Sequence, residues 1–303
     1  MTATELLVTQ ETGAARRSGS KRRDRKSVVL TVALWAISLY FLLPLVWLVI
    51  ASTKDNQDLF SSFGLWFGDR FSLWDNLVDV FTFRDGIYLR WTLNTVVYSV
   101  VSAFGAAFIS TAAGYAFAKY RFPGSKGIFS VILGSIMIPA TALALPTYLV
   151  FSTLELTNTP WAVILPSMIS PFGLFLMRVY AADAIDDSLI ESGRVDGAGE
   201  FRIFFQISLR LLAPGIVTVF ILSLVGTWNN YFLPLVMLSS SSLYPLTVGL
   251  AQQNGASAAG GGAEALFSTV ITGSLVAVVP LVIAFLFLQR FWESGLTTGS
   301  VKG

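Results

Sequence analysis

The stretch 186-DDSLIESGRVDGAGEFRIFFQISLRLLAP-214 places acids, arginines and three glycines between long apolar runs. Residues 183–196 are predicted to form a short helix, which Asp183 can cap and which Gly197 and Gly199 end. Apolar residues follow helical spacing on both sides of the glycines, at Ile185, Leu189 and Ile190 before them and at Phe201, Phe204, Phe205 and Leu209 after them. The stretch therefore predicts a helix, a glycine turn and a second helix, each buried on one face.

The composition around this stretch is that of a membrane protein. Of the 303 residues, 54% are hydrophobic and 13% are charged, whereas a soluble domain carries about 25% charged residues. A soluble protein this apolar would have too little polar surface to face water. Cysteine and histidine are absent, which excludes thiol catalysis, disulfides, Cys/His zinc sites and histidine acid–base chemistry.

Six uncharged runs are long enough to cross about 30 Å of hydrocarbon as helices. We expect an all-α integral membrane fold with six spans at about 27–50, 92–118, 127–152, 158–178, 211–238 and 266–289. The predicted organisation is a basic tail at 1–26, a six-span domain at 27–292 that includes the connecting loop 179–210, and a polar tail at 293–303. The Ser- and Gly-rich stretch after the fifth span is predicted to be a loop.

Lysine and arginine are unevenly shared between the two sides of these spans. Sixteen of the 20 fall in the N-terminal tail, in the connections after the second and fourth spans, and at the C-terminal end. The other side has four: Lys54, Arg70, Arg84 and Arg90. By the positive-inside rule, both termini and the 179–210 loop are predicted to be cytoplasmic.

The first apolar run and the basic tail before it each have a second interpretation. The run could be the core of a signal peptide, but such a core is only about 7–15 residues long, so we interpret the run as a retained span. The basic tail could bind nucleic acid, but beside a span it is better explained as a topology signal.

The 179–210 loop also has two interpretations from its residues alone. A charged connector between two spans can simply be solvated. However, a connector of about 30 residues is longer than usual, and both of its halves are apolar on one face. These features favour docking against a partner.

The loop resembles the EAA loop of ABC-importer permeases. The matching residues are Glu191, Asp196, Gly197, Ala198, Ile207 and Leu209. Where that family has two alanines after the glutamate, this chain has Ser192 and Gly193, and Arg210 stands where the family has a proline. In that family the loop forms a coupling helix that docks into a groove of the cytoplasmic ATPase, and the resemblance implies this role here.

The resemblance covers nearly the whole chain and is to the MalG-like carbohydrate permeases in particular. The similar segments are STKDNQDLF (52–60), NTVVYSV (94–100), GYAFAKYRFPGSKGIF (114–129), LELTNTPWAVILP (154–166), TWNNYFLPLVMLSS (227–240) and RFWESGLTTGSVKG (290–303). The resemblance implies the type I ABC importer permease fold. It also implies a non-enzymatic subunit that carries a sugar, of the di- or oligosaccharide class, inward through the cytoplasmic membrane.

The same resemblance implies a set of partners. These are a second homologous permease chain, two ATPase subunits that bind the ATP, and an extracytoplasmic sugar-binding lipoprotein. The chain itself is expected to contact membrane lipid and to hold no cofactor, metal or nucleic acid.

Three further segments carry candidate contacts. Trp228, Asn229, Asn230 and Tyr231 lie near the outer end of the fifth span, where amides usually face protein or water. Asn229, Asn230 and Tyr231 are candidates for the translocation path, with interhelical hydrogen bonds and an aromatic belt as an equal alternative. The loop 51–90 can contact the sugar-binding protein or cap the spans. The C-terminal tail can contact the ATPase or be a frayed end.

Two other functions fit the composition. A secondary transporter driven by an ion gradient usually needs ionisable residues inside its spans, and none of the six predicted spans has one at its centre. A membrane scaffold without transport activity would have no reason to carry an EAA-like loop. The glycine-rich stretch 255–265 lacks the Gly-Lys-Ser/Thr of a phosphate-binding loop, so no nucleotide site is expected in this chain.

Overall fold

The computed structural model describes residues 28–259 and 266–297, and every regular element within these ranges is helical. In chain order the helices are α1 (Val28–Ser52), α2 (Asn56–Ser61), α3 (Leu73–Lys119), α4 (Ser125–Ser135), α5 (Ala140–Thr153), α6 (Trp161–Ser167), α7 (Pro171–Ala184), α8 (Asp187–Val195), α9 (Glu200–Arg202), α10 (Leu209–Trp228), α11 (Phe232–Met237), α12 (Leu246–Ala259) and α13 (Phe267–Thr297). A π-helix, Ile203–Ser208, joins α9 to α10, and a 3₁₀ turn, Ser241–Leu243, precedes α12.

Five helical segments are long and apolar enough to cross a membrane. They are Val28–Ser52, Leu73–Lys119, Trp161–Ala184, Glu200–Trp228 and Phe267–Phe287. α4 and α5 bend by 107° at a short break, as in a broken span or a re-entrant loop, and the pair brings the number to six if it counts as one span. The predicted all-α membrane fold is confirmed, and the cytoplasmic position of the termini stays a prediction.

The helix boundaries differ from the predicted ones at several places, and the predicted fourth span, 158–178, consists of α6 and α7 and continues to Ala184. α3 begins at Leu73 rather than near residue 92, and its backbone is non-helical at Phe83–Gly86. The fifth predicted span is interrupted between the end of α10 at Trp228 and the start of α11 at Phe232. Residues 246–259, predicted to be a loop, form α12.

The loop prediction for residues 246–259 was wrong because glycine serves close packing there. A Cβ atom on Gly249 would lie only 2.3 Å from the Trp91 ring, and Leu246 packs in the same buried cluster as Trp91. Small residues at such contacts are typical of membrane helices. The rest of the glycine-rich stretch, residues 260–265, lies outside the described residues, as do the predicted tail 1–26 and the end of the polar tail, 298–303.

The chain falls into two units that divide within α1, after Leu45. In the first unit, the described residues 28–45 form an apolar helical segment. In the second unit, α3 packs against α7, α10 and α13. The buried residues of α3 from 99 to 114 are all small: Ser99, Ser102, Ala103, Ala106, Ala107, Ser110, Thr111 and Gly114. Small side chains let membrane helices approach each other closely, which explains how α3 can pack against several other helices.

The C-terminal end of α1 is held by a buried amide of α3. Asn76 Nδ2 donates hydrogen bonds to the carbonyl oxygens of Ser52 and Lys54, each at 2.9 Å. Lys54 is itself buried, and its Nζ donates to Ser62 Oγ and to the Phe63 carbonyl, both at 2.8 Å. The segment 51–90 is therefore partly helical and internally hydrogen-bonded.

Replacing Asn76 by alanine is expected to destabilise this segment. The substitution removes the donor of the Lys54 carbonyl, and a buried carbonyl without a donor costs about 1–3 kcal/mol. The Ser52 carbonyl keeps the longer hydrogen bond from Thr272 Oγ1 at 3.5 Å. We expect a lower thermal unfolding temperature of the detergent-purified protein, measured by intrinsic fluorescence. Gln57→Ala, at an exposed position of α2, is the control and should leave that temperature unchanged. Equal unfolding temperatures for the two variants would contradict the capping role of Asn76.

Candidate functional site

The predicted helix and glycine turn around Gly197 are present, with one change at the start. Asp186 caps α8, because its Oδ1 accepts a hydrogen bond from the Ser188 N–H at 2.9 Å. The prediction that Asp183 caps this helix was wrong, since α7 continues through Asp183 to Ala184. Ala181 and Ile185, on either side of Asp183, are buried in the core. This packing stabilises the helical conformation of α7 through the polar Asp183.

Gly197 ends α8 in a Schellman motif. Its φ is +80°, in the left-handed region that favours glycine. The Gly197 N–H donates to the Arg194 carbonyl at 3.0 Å, and the Ala198 N–H donates to the Gly193 carbonyl at 2.9 Å. These two bonds define the motif, and Ala198 packs against the core just after it. The glycine turn therefore fixes the direction in which the chain leaves α8.

α8 has one buried face and one exposed face. Ile190 and Gly193 are buried, and a Cβ on Gly193 would lie 3.3 Å from Ile203 Cγ1. The glycine that replaces a family alanine at this position therefore brings α8 close to the π-helix. Glu191 and Asp196 are exposed, and within the described residues the Glu191 side chain makes no hydrogen bond or ion pair. Its carboxylate is free to meet another protein.

The π-helix changes which residues face the core after the turn. Ile203, Phe204 and Ser208 are buried, and the step from 203 to 208 is the five-residue step of a π-turn. The predicted stripe Phe201, Phe204, Phe205 and Leu209 was therefore wrong as a single buried face. Phe201 is 83% exposed and Phe205 is 49% exposed, whereas Ile207 and Leu209 are half-buried.

Polar contacts connect α8 to the end of α3. The Tyr120 hydroxyl donates to Glu200 Oε2 at 2.6 Å, and Arg194 Nε donates to Glu200 Oε1 at 2.7 Å. At the other end of α8, Lys119 Nζ donates to the Ile185 carbonyl at 2.5 Å and to Asp187 Oδ1 at 2.8 Å.

Tyr120 and Arg194 keep their donor roles toward Glu200 at neutral pH. Burial raises the pKa of the Tyr120 phenol above its ordinary value, and the hydrogen bond to Glu200 raises it further. The hydrogen bond to Glu200 also raises the pKa of the Arg194 guanidinium. Spacing rules did not find this cluster, because Arg194 and Glu200 are six residues apart and Tyr120 is distant in sequence.

The second candidate site lies where α10 gives way to α11. Asn229 and Tyr231 line a cavity of about 430 Å³ with Trp228 and residues of α12 and α13. Asn230 instead holds the turn: its Oδ1 accepts from the Leu233 N–H at 3.3 Å, and its carbonyl accepts from Thr247 Oγ1 at 2.8 Å. Within residues 28–259 and 266–297, no three acidic side chains come together in a way that could hold a metal ion.

Residues 106–297 match the family described as "Binding-protein-dependent transport system inner membrane component". The arabinooligosaccharides transport system permease protein AraQ of Halalkalibacterium halodurans is 35% identical over 91% of this chain and 97% of its own length. The lactose transport system permease protein LacG of Rhizobium radiobacter is 28% identical over 93% of this chain and 98% of its own length.

A third relative is named for a different kind of substrate. The sn-glycerol-3-phosphate transport system permease protein UgpE of Pectobacterium atrosepticum is 29% identical over 89% of this chain and 94% of its own length. Among solved structures, the chain is similar to one from a bacterial ABC transporter involved in the import of the acidic polysaccharide alginate. The TM-score is 0.74 over 88% of this chain and 95% of that chain, at 22% identity, which shows a shared fold.

Proposed function

Because the chain belongs to the family of binding-protein-dependent transport system inner membrane components, the permease subunits of ABC importers, we propose that it carries a di- or oligosaccharide into the cell. As a member of that family it is an integral protein of the plasma membrane, is not itself an enzyme, and works with an ATPase and a substrate-binding protein. The family also sets aside the secondary-transporter and scaffold alternatives.

The substrate class in this proposal is supported by the relatives' names. The arabinooligosaccharide and lactose permeases are similar to this chain over more than nine-tenths of its length. Since one relative is named for glycerol phosphate, the choice between substrate classes has to be tested directly.

The assembly in this proposal contains a second homologous permease chain, two ATPase subunits and an extracytoplasmic sugar-binding lipoprotein. Both termini and α8 lie on the cytoplasmic side, and the translocation path passes the cavity lined by Asn229 and Tyr231. The lipoprotein delivers the sugar from the opposite side.

The observation that carries the proposed coupling mechanism is the form of α8. It is a short helix closed by a Schellman turn at Gly197, and its Glu191 carboxylate is exposed, with no hydrogen bond or ion pair to residues 28–259 or 266–297. A rigid helix of this kind can receive the movement of an ATPase domain and pass it to the spans. Ala198 and Leu209 pack against the core beside this helix, Ile207 lies next to Gly193, and Asp196 is the exposed C-cap residue.

The first test is purification of the tagged chain from its native membrane in mild detergent, followed by identification of the proteins that accompany it. We expect an ATPase and a second permease. With the sugar-binding protein added, arabino-oligosaccharide or lactose should stimulate ATP hydrolysis, whereas glycerol phosphate should not. A chain that purifies alone, or stimulation by glycerol phosphate only, would contradict the proposal.

Glu191→Ala is expected to lower sugar-stimulated ATP hydrolysis by about tenfold, which corresponds to about 1.4 kcal/mol of lost coupling. Glu191 is exposed and makes no hydrogen bond or ion pair in the part of the chain that the structure describes, so the loss reflects a missing contact with the ATPase rather than misfolding. The matched control is Asp183→Ala, which removes another exposed acid from the last turn of α7 and should retain wild-type activity. Full stimulation of Glu191→Ala would exclude Glu191 from the coupling surface.

A further inference from the structure

The end of α3 is bonded to both ends of α8 by two neighbouring residues. Lys119 reaches the start of α8, through the Ile185 carbonyl and the Asp187 carboxylate. Tyr120 reaches its end, through Glu200, which accepts the hydrogen bond of Arg194 in the last turn of α8. A helix of nine residues is thus held at two points by one dipeptide.

Burial of Lys119 and aromatic packing of Tyr120 stabilise the hydrogen bonds that these two residues make. The Lys119 side chain is only 6% exposed, so water competes poorly for its ammonium group at the Ile185 carbonyl. The Tyr120 ring packs edge-on against the Tyr115 ring at 5.7 Å, and Tyr115 packs against Phe204 of the π-helix at 5.1 Å. The aromatic packing fixes the Tyr120 hydroxyl where Glu200 meets it.

These bonds give α8 a connection to the membrane part that is separate from the chain itself. Along the chain, α8 continues only into α7 before it and into α9 and the π-helix after it. α3 lies about 70 residues earlier in sequence, as the separations of 68 between Lys119 and Asp187 and 80 between Tyr120 and Glu200 show. Since α3 packs against α7, α10 and α13, a displacement of α8 that moves α3 also acts on those helices.

We infer that Lys119 and Tyr120 are positioning residues that transmit the movement of α8 to α3, so that ATP hydrolysis drives transport. The inference rests on the proposed function, because it takes α8 as the element that receives the ATPase movement. Without the two bonds, α8 can still dock and the ATPase can still turn over. α3 then follows α8 incompletely, and fewer sugar molecules cross per ATP hydrolysed.

The test measures the ratio of sugar transported to ATP hydrolysed in proteoliposomes containing the complete transporter. The variants are Tyr120→Phe, which keeps the ring and loses the hydroxyl, and Lys119→Met, which keeps the length and loses the charge. Arg121→Met is the control, because Arg121 is an exposed cation next to the dipeptide and its side chain makes no hydrogen bond or ion pair with the described residues. We expect the ratio to fall by about threefold or more in both variants, with the ATPase still bound, and to stay at the wild-type value in the control.

The ATPase that accompanies the wild-type chain tests the proposed function, and the transport ratio of the variants tests the inference. If wild type brings no ATPase, the proposed function fails; if wild type is coupled and both variants keep the wild-type ratio, only the inference fails. If Lys119→Met does not assemble, Tyr120→Phe decides the outcome, because the ring packing is kept. Tyr120→Phe combined with Glu200→Ala should lower the ratio no further than Glu200→Ala alone, since Glu200→Ala already removes the acceptor of the Tyr120 hydroxyl. Additive losses would overturn the role assigned to Tyr120.

Discussion

Replacing Gly197 by proline is expected to abolish sugar-stimulated ATP hydrolysis in the reconstituted transporter. Proline holds φ near −65° and has no N–H, whereas Gly197 has a φ of +80° and donates its N–H to the Arg194 carbonyl at 3.0 Å. Both features of the Schellman turn are lost together, at a cost of about 3 kcal/mol or more. The chain then leaves α8 in another direction, so the orientation of α8 relative to α10 changes and the Glu191 carboxylate is displaced from its contact with the ATPase.

Gly199→Pro is the matched control for this experiment. The φ of Gly199 is −71°, which proline adopts readily, and a Cβ added there would meet nothing within 4 Å. Its N–H donates no hydrogen bond within the described part of the chain. Sugar-stimulated hydrolysis should therefore survive in Gly199→Pro. Equal loss in the two variants would show that the left-handed turn at Gly197 is not the cause.

Gly114→Leu is expected to have the largest effect on stability. A Cβ at position 114 would lie 2.6 Å from Met177 Cβ and 2.7 Å from the Arg178 backbone nitrogen. A backbone atom of α7 cannot move aside as a side chain can, so α3 and α7 must separate. Overpacking of this kind costs about 1–3 kcal/mol or more, and leucine adds three carbons beyond the Cβ. We expect little protein in the membrane fraction and a large drop in the unfolding temperature of what remains.

The control for Gly114→Leu is Gly226→Leu. Gly226 also lies inside an apolar helix, α10, but it is exposed, and an added Cβ would meet nothing within 4 Å. This variant should reach the membrane in normal amounts and unfold near the wild-type temperature. If both leucine variants are equally unstable, the loss comes from leucine in a membrane helix in general, and the close approach of α3 and α7 is not its source.

The sequence predicted the features that depend on local composition. Uncharged runs of about 20 residues indicated membrane helices, and a glycine after a polar helix indicated the turn at Gly197. The π-helix at 203–208 could not be predicted, because spacing rules assume a step of three or four residues and this segment takes five. Likewise, the Ser- and Gly-rich stretch that contains Gly249 suggested a loop, although Gly249 lies in α12 and its lack of a side chain leaves room for the Trp91 ring.

The contacts of the candidate site were harder to predict than the helices. Tyr120 and Glu200 are 80 residues apart, and no local pattern links them. Asn230 looked like Asn229 in sequence, yet Asn230 caps the turn before α11 while Asn229 faces the cavity. The reason for a glycine at position 193, where the family has an alanine, is visible only in the structure, because Ile203 packs closely against it. Arg210, where the family has a proline, lies in a helix that runs on through it.

One buried amide of α3 bears on how the protein is made. Asn94 Nδ2 donates to the carbonyl oxygens of Ser242 and Tyr244, which follow it by 148 and 150 residues. A ribosome adds about 5–20 residues per second, so the native acceptors of Asn94 emerge roughly 7–30 s after Asn94 itself. During that interval a helix destined for hydrocarbon carries a polar group without its final partners, and water or the insertion machinery has to satisfy it. The native hydrogen bonds of Asn94 in α3 can therefore form only after the second half of the chain has been synthesised.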